Sequence, residues 1–352
     1  MSPPSPTGSW NCATGAGCAS DATRPHRQRH HRHRPGRRRA SGARGDALAS
    51  SSAITAGGAF NTLVAARRDG LDAVHVGARG TGGFADVAAA ALRDAGIPAL
   101  GPVYDVDTGY SVVLVDPSGE RTFVTHVGAE ARLTRQDLDA VALEAGDLVV
   151  VSGYSLAHSP RTLPGWVAGL GPEVRVVFDP SPLVASLDDS ALAAVLARTD
   201  VLTANAREAH LLLARLPSGE GTRTAAGPRP EVDPLPFDGG RAGSDATRLA
   251  ARARPGAAVV VRDGADGCWV AEHGAPSAER IPGFPSRVLD TTGAGDAHCG
   301  VLCAGLARGG SLTAAARRAN AAASIAVGRR GPATAPTAVE IEALLALVAD
   351  PA

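Results

Sequence analysis

From residue 45 onward, short apolar and β-branched runs alternate with longer Ala- and Leu-rich stretches. Leu71 to Val76, Tyr110 to Val115, Asp147 to Ser152, Val174 to Asp179, Asp200 to Thr203 and Ala257 to Arg262 have the length and composition of strands. Turns or helix-forming segments such as Phe84 to Ala95 follow them. That alternation predicts a mostly parallel central sheet covered by helices, a Rossmann-like α/β sandwich. One pair departs from it: Tyr110 to Val115 and Arg121 to Thr125, joined by Asp116-Pro-Ser-Gly119, read as a β-hairpin with Pro and Gly where a turn wants them. A small lid would use such a hairpin.

Two segments carry no periodic apolar pattern. Residues 1–44 are rich in Pro, Ser, Gly, His and Arg, including RPHRQRHHRHRPGRRR from Arg24 to Arg39, and are expected to be a disordered basic leader or the product of a misassigned start. Residues 217–244, dense in Gly, Pro, Arg and Glu, read as a flexible surface insertion. The remaining 45–352 are expected to form one domain.

Composition narrows the function. The 352 residues are 44% hydrophobic, enough for a large core, and 35 basic residues balance 35 acidic ones, which argues against a general nucleic-acid or membrane-surface binder. Every basic residue is Arg, so a P-loop lysine and a lysine Schiff base are both excluded. Cys12, Cys18, Cys268, Cys299 and Cys303 show no CxxC spacing, which leaves a zinc site or disulfide framework unindicated and suits a reducing cytoplasm. No apolar stretch reaches the 18 residues of a membrane span.

The strongest chemical signal is VLDTTGAGDAHCG, Val288 to Gly300, followed by an Ala- and Leu-containing stretch to Arg308 that ends at Gly309-Gly310. A Gly-rich turn feeding a helix points the unpaired amides of Gly293, Ala294, Gly295 and Asp296 at one spot, and the helix dipole adds partial positive charge there. An anion such as a phosphate fits. The carboxylate of Asp296 would repel it unless that carboxylate takes a proton from an incoming hydroxyl as a phosphoryl group transfers. On chemistry alone the segment is also readable as a capped loop-to-helix turn. His298 and Cys299, its neighbours on the helix, read as packing residues.

This segment resembles the signature of the ribokinase-like, PfkB-type carbohydrate kinase family, and the wider match spans roughly residues 47 to 345. The resemblance implies ATP as phosphoryl donor, Mg²⁺ bridging its phosphates, and a sugar or sugar-like substrate, or a nucleoside as the near alternative. Asn205-Ala-Arg-Glu208 matches the family's Asn-x-x-Glu that helps hold magnesium and phosphate, although the same pattern is an ordinary capping box. Ala56-Gly57-Gly58-Ala59-Phe60-Asn61 looks like the sugar-contacting loop, with Gly57, Gly58 and Asn61 as its ligands; Ala56 replaces the usual first glycine and Gly58 a frequent lysine. Segments 47–56 and 103–127 correspond to a lid, through which relatives commonly dimerise. Arg262-Asp263-Gly264 falls at a nucleotide-contacting turn where relatives usually begin with Thr, so Gly264 carries over and Arg262 is a departure. Asn320 matches the helix lining the adenine pocket. A monovalent cation, K⁺, is implied near Asp290 and Thr292. Members of the family also open with an apolar strand ending in a sugar-binding Asp; residues 1–44 show no such strand, and neither Asp21 nor Asp46 is suitably placed. A missing first strand would suit a catalytically impaired nucleotide or sugar sensor. Gly77-Ala-Arg-Gly80-Thr-Gly82-Gly83 lacks the GxGxxG spacing of a dinucleotide fold.

Overall fold

The computed structural model describes residues 49–115, 121–216 and 239–348, together with the backbone strands at 9–13 and 18–20. In chain order the strands are β1 (Ser9–Ala13), β2 (Cys18–Ser20), β3 (Ile54–Ala56), β4 (Asp72–Val76), β5 (Ala99–Leu100), β6 (Tyr110–Val115), β7 (Arg121–His126), β8 (Leu148–Ser152), β9 (Arg175–Asp179), β10 (Val201–Asn205), β11 (Ala258–Arg262), β12 (Cys268–Glu272) and β13 (Glu279–Ile281). Nine of them form one sheet in the order β13-β12-β11-β10-β9-β8-β1-β4-β5, and β3-β2-β6-β7 form a second, smaller sheet. Pairing from β11 through to β5 is parallel, and β12 and β13 add an antiparallel edge. The predicted mostly parallel sheet is therefore present.

The expectation of a missing first strand does not hold. The segment SWNCA is β1, hydrogen-bonded in parallel between β4 and β8, with Ser9 opposite Asp72 and Trp10 opposite Leu148. Its strand character comes from these two neighbours rather than from its own five residues, which lack a β pattern. Cys18–Ser20 likewise pairs with β3 and β6, so at least these parts of residues 1–44 belong to the sheets. Asp21, Asp46 and the turn Asp116–Gly119 lie outside the described residues. The presumed insertion 217–244 is shorter than expected at its end: Gly239–Arg241 is a short 3-10 turn and Ala242–Ala250 a helix, whose Ala246 and Leu249 pack into the core.

Two apolar layers sandwich the sheet, and the period-2 alternation of each strand divides its residues between them. Leu148, Val150, Val177 and Val260 join Leu63, Val301 and Ile341 on one face, while Val149, Val151, Phe178, Val259 and Val261 join Leu156, Val195 and Leu212 on the other. On the first face the helix Ala294–Ala307 is buried from Ala297 to Leu306, wedged between the helices Ala59–Arg68 and Leu312–Ala326. Its small residues permit this: a Cβ at Gly300 would stand 2.3 Å from the Thr62 carbonyl oxygen and 2.7 Å from the Ala65 Cβ. The far ends of these helices are tied by Asp69, whose fully buried carboxylate accepts from Arg318 Nε at 3.0 Å and Arg308 NH2 at 2.7 Å. Among the described residues, no helix is long and apolar enough to cross a membrane.

Candidate active site

Three neighbouring parallel strands end at one edge of the sheet, and their last residues are Asp179 on β9, Asn205 on β10 and Arg262 on β11, with Asn205 directly opposite Arg262. Carboxyl ends of parallel strands are where open α/β sheets bind ligands. The helix Ala294–Ala307 begins at the same place. Its N-cap is Gly293 in the left-handed conformation (φ 75°), which glycine adopts without strain.

Asp296 lies in the first turn of that helix, partly exposed, and is held from the neighbouring helix. Asn61 Nδ2 donates to its Oδ2 at 2.9 Å and Thr62 Oγ1 to its Oδ1 at 3.3 Å. Asn61 is itself a residue of the helix Ala59–Arg68, and Gly58 at its N-cap has φ 62°. Gly57 is buried behind it. Withdrawal from water pushes the Asp296 carboxyl up to about 6; the Asp179 charge acts in the same direction, while Asn61, Arg262 and Thr62 pull it down. Of the amides expected to face an anion, Ala294 is not available, because its N–H donates to the Thr291 carbonyl at 3.2 Å. Gly295 and Asp296 remain in the first turn, where no preceding carbonyl is in reach.

Asn205 and Glu208 form the capping box in full: Asn205 Oδ1 accepts from the Glu208 amide and Glu208 Oε2 from the Asn205 amide, each at 2.8 Å. Glu208 is buried, and burial together with the Asp179 charge raises its carboxyl above the usual range. It also meets Arg262, whose NH2 lies 3.4 Å from Oε2. Arg262 NH1 donates to Asp179 Oδ2 at 2.8 Å and to Thr203 Oγ1 at 3.2 Å. Burial alone would lower the Arg262 pKa, but the two carboxylates lift it above its ordinary value. Asp179 Oδ1 is taken by the amide of Ser181, a residue held at φ 57°. Tyr154 feels the same acidic cluster; burial and the charges of Asp296, Glu208 and Asp179 raise its phenol.

The remaining expected site residues lie on the turns and helices around this cluster. Asp290 and Thr292 do meet, through Thr292 Oγ1 and N donating to Asp290 Oδ1 at 2.7 and 2.9 Å, and Gly331 N donates to the other oxygen at 3.0 Å. Gly264 opens the turn after β11 at φ 59° and accepts from the Gly267 amide. Asn320 is buried and bonded within the chain: Nδ2 donates to the Ile281 and Pro282 carbonyls and Oδ1 meets His298 Nε2 at 3.2 Å. His298 is buried with its pKa pushed down to about 3, so it is the neutral packing residue expected.

Thr62, Asp179, Thr203 and Arg262 are site residues that motif reasoning did not assign. For Thr62 one signal existed, a hydroxyl beside Asn61 in the otherwise apolar run from Leu63 to Ala66. No group of three or more His, Cys, Asp or Glu residues among those described forms a ready-made metal cage.

A family model for the pfkB family carbohydrate kinases matches residues 41–338. The chain is 31% identical over 296 residues to the uncharacterized sugar kinase YegV of Escherichia coli (strain K12), with 84% of both chains covered. It is 30% identical over 298 residues to the ATP-dependent ribose-1-phosphate kinase of Halopiger xanaduensis, covering 82% of this chain and 86% of that one. Among solved structures, the ribokinase of Thermotoga maritima superimposes with a TM-score of 0.72 at 19% identity, over 96% of this chain and 99% of the other. The fold is thus the ribokinase fold, and the chain belongs to the pfkB family of carbohydrate kinases.

Proposed function

We propose that the chain transfers the γ-phosphoryl group of ATP to a hydroxyl of a sugar or sugar-like substrate, with Asp296 as general base. The observation that carries this is the placement of Asp296: at the start of a helix, tethered by Asn61 and Thr62, with its pKa raised to about 6. Such a carboxylate is mostly ionised at pH 7 yet basic enough to receive a hydroxyl proton as the new O–P bond forms and the bond to the departing ADP breaks. The first-turn amides of Gly295 and Asp296, with Gly293 giving the turn its shape, would face the equatorial oxygens of the transferring group. Gly57, Gly58 and Asn61 would contact the sugar, and the buried Asn61 Oδ1, which has no hydrogen-bond partner among the described residues, supports a ligand role.

Mg²⁺, when bound with the nucleotide, would neutralise phosphate charge. Glu208, Asn205 and Asp179 are the groups that would hold it, through water or directly, in keeping with the ion's habit of using one or two carboxylates and the substrate's own phosphates. Asp290 would share its carboxylate between Thr292, Gly331 and a K⁺ ion. The small sheet β3-β2-β6-β7 is read as the lid, and its exposed face of Ile54, Val112, Leu114 and Val124 supports a homodimer through it.

The test is ADP release with ATP, Mg²⁺ and a panel of pentoses, hexoses, sugar phosphates and nucleosides, for wild type and Asp296→Asn shown to be folded. Substrate-dependent release that collapses in the variant supports the assignment and names the acceptor. ATP binding without turnover on any acceptor would refute it in favour of a sensor.

A further inference from the structure

Arg262 is the cationic side chain against which this site is assembled. It stands at the end of β11 with its side chain only 12% exposed, and its NH1 and NH2 reach Asp179, Thr203 and Glu208. The guanidinium also lies beneath the Gly-rich turn: NH1 is 3.5 Å from the Gly295 carbonyl oxygen, and a Cβ built on Gly295 would be 3.6 Å from the central guanidinium carbon. Two carboxylates, Asp179 and Glu208, thus pair with one fixed positive charge, whose field also lowers the pKa of Asp296 in the turn above it. A phosphoryl group arriving at this turn meets these carboxylates, and the chain contains no lysine to offset their charge. Guanidinium groups suit that task, with five N–H donors in a planar fork that matches phosphate oxygens and a charge that persists at any working pH.

We propose that Arg262 is a phosphate-contacting catalytic residue, whose guanidinium, anchored by Asp179 and Glu208 beneath Gly295, donates to the terminal phosphoryl group. The proposal rests on the kinase assignment above for the identity of the anion and extends it to a residue outside the Gly293–Asp296 turn. Glu208 and Asp179 act in it as positioning residues, fixing the fork so that little side-chain freedom is lost when phosphate arrives.

The test compares Arg262→Gln and Arg262→Lys with wild type by calorimetric binding of ATP and of adenosine in EDTA, after thermal denaturation has shown each to be folded. Loss of a charge-assisted contact predicts that Arg262→Gln weakens metal-free ATP by roughly tenfold or more, leaves adenosine within about twofold, and lowers kcat more than it alters the sugar KM. Arg262→Lys keeps the charge and falls between. Equal weakening of ATP and adenosine, or none, would overturn the proposal and leave Arg262 a structural bridge. If Arg262→Gln does not fold, a crystal structure of wild type with a non-hydrolysable ATP analogue decides: a guanidinium nitrogen about 3 Å from a terminal phosphate oxygen supports it, and a guanidinium still turned wholly to the carboxylates refutes it. A wild type that binds ATP through Arg262 but phosphorylates nothing would sink the kinase assignment alone; an active wild type indifferent to Arg262→Gln would sink this inference alone.

Discussion

Asp296→Asn should make the protein more stable at neutral pH while removing its activity. Burial and the Asp179 charge raise the native carboxyl from an ordinary 3.8 to about 6. Because the folded-state pKa lies above the unfolded one, the stability associated with the neutral form is fully present below the unfolded value and is lost as pH rises through the folded one. Carried over the whole window, that loss is about 3 kcal/mol, and between pH 4.5 and pH 8 it is about 2 kcal/mol. Asparagine is neutral throughout and escapes it. The amide returns about 1 kcal/mol at every pH, because one of the two donors, Asn61 Nδ2 or Thr62 Oγ1, loses its acceptor. For a chain of 352 residues, the 2 kcal/mol corresponds to about 3 °C in Tm. Differential scanning fluorimetry of both proteins from pH 4.5 to 8 should therefore show the Tm of Asp296→Asn climbing relative to wild type by that amount, while turnover falls by a factor of about 10² to 10⁴. A Tm difference that stays flat across the window would refute the raised pKa and, with it, the claim that this carboxylate is poised as a base.

The same ionisation governs the rate. Wild-type kcat/KM should fall about tenfold per pH unit below pH 6, and Thr62→Ala, which removes a donor to the ionised form, should move that limb upward by about half a unit in a pH–rate profile. Gly300→Val drives a side chain into the Thr62 carbonyl and Ala65, so it should destabilise by about 1–3 kcal/mol in urea titration and lower kcat beyond what the loss of fold explains, since it parts Asn61 and Thr62 from Asp296. Asp69→Asn leaves Arg318 and Arg308 without the buried charge they share and should destabilise by about 3 kcal/mol or more, read from the urea midpoint.

What the sequence disclosed of this site was what lies close together in the chain. Gly293 to Asp296 and Asn205 to Glu208 are local devices, a left-handed N-cap and a capping box, and local backbone chemistry writes them into three or four consecutive residues. The strands β8, β9, β10 and β11 were legible for a similar reason, since each is apolar over most of its length. β1 was not, because five residues of mixed character become a strand only when β4 and β8 flank them. Partnerships across the fold were equally silent: Thr62 reaches Asp296 over 234 positions and Arg262 reaches Asp179 over 83. Asn320 shows the converse, a polar residue on an Ala-rich helix whose side chain is consumed by β13 and His298. Arg262 is the instructive case. As a departure from the family's usual Thr it weakened the resemblance, yet in the fold it is the counter-charge to Asp179 at the end of β9 and to Glu208 in the first turn of the helix after β10, and removing it would leave the buried Glu208 without its cationic partner. A substitution that looks like decay in one dimension is, in three, part of an electrostatic arrangement whose members must change together.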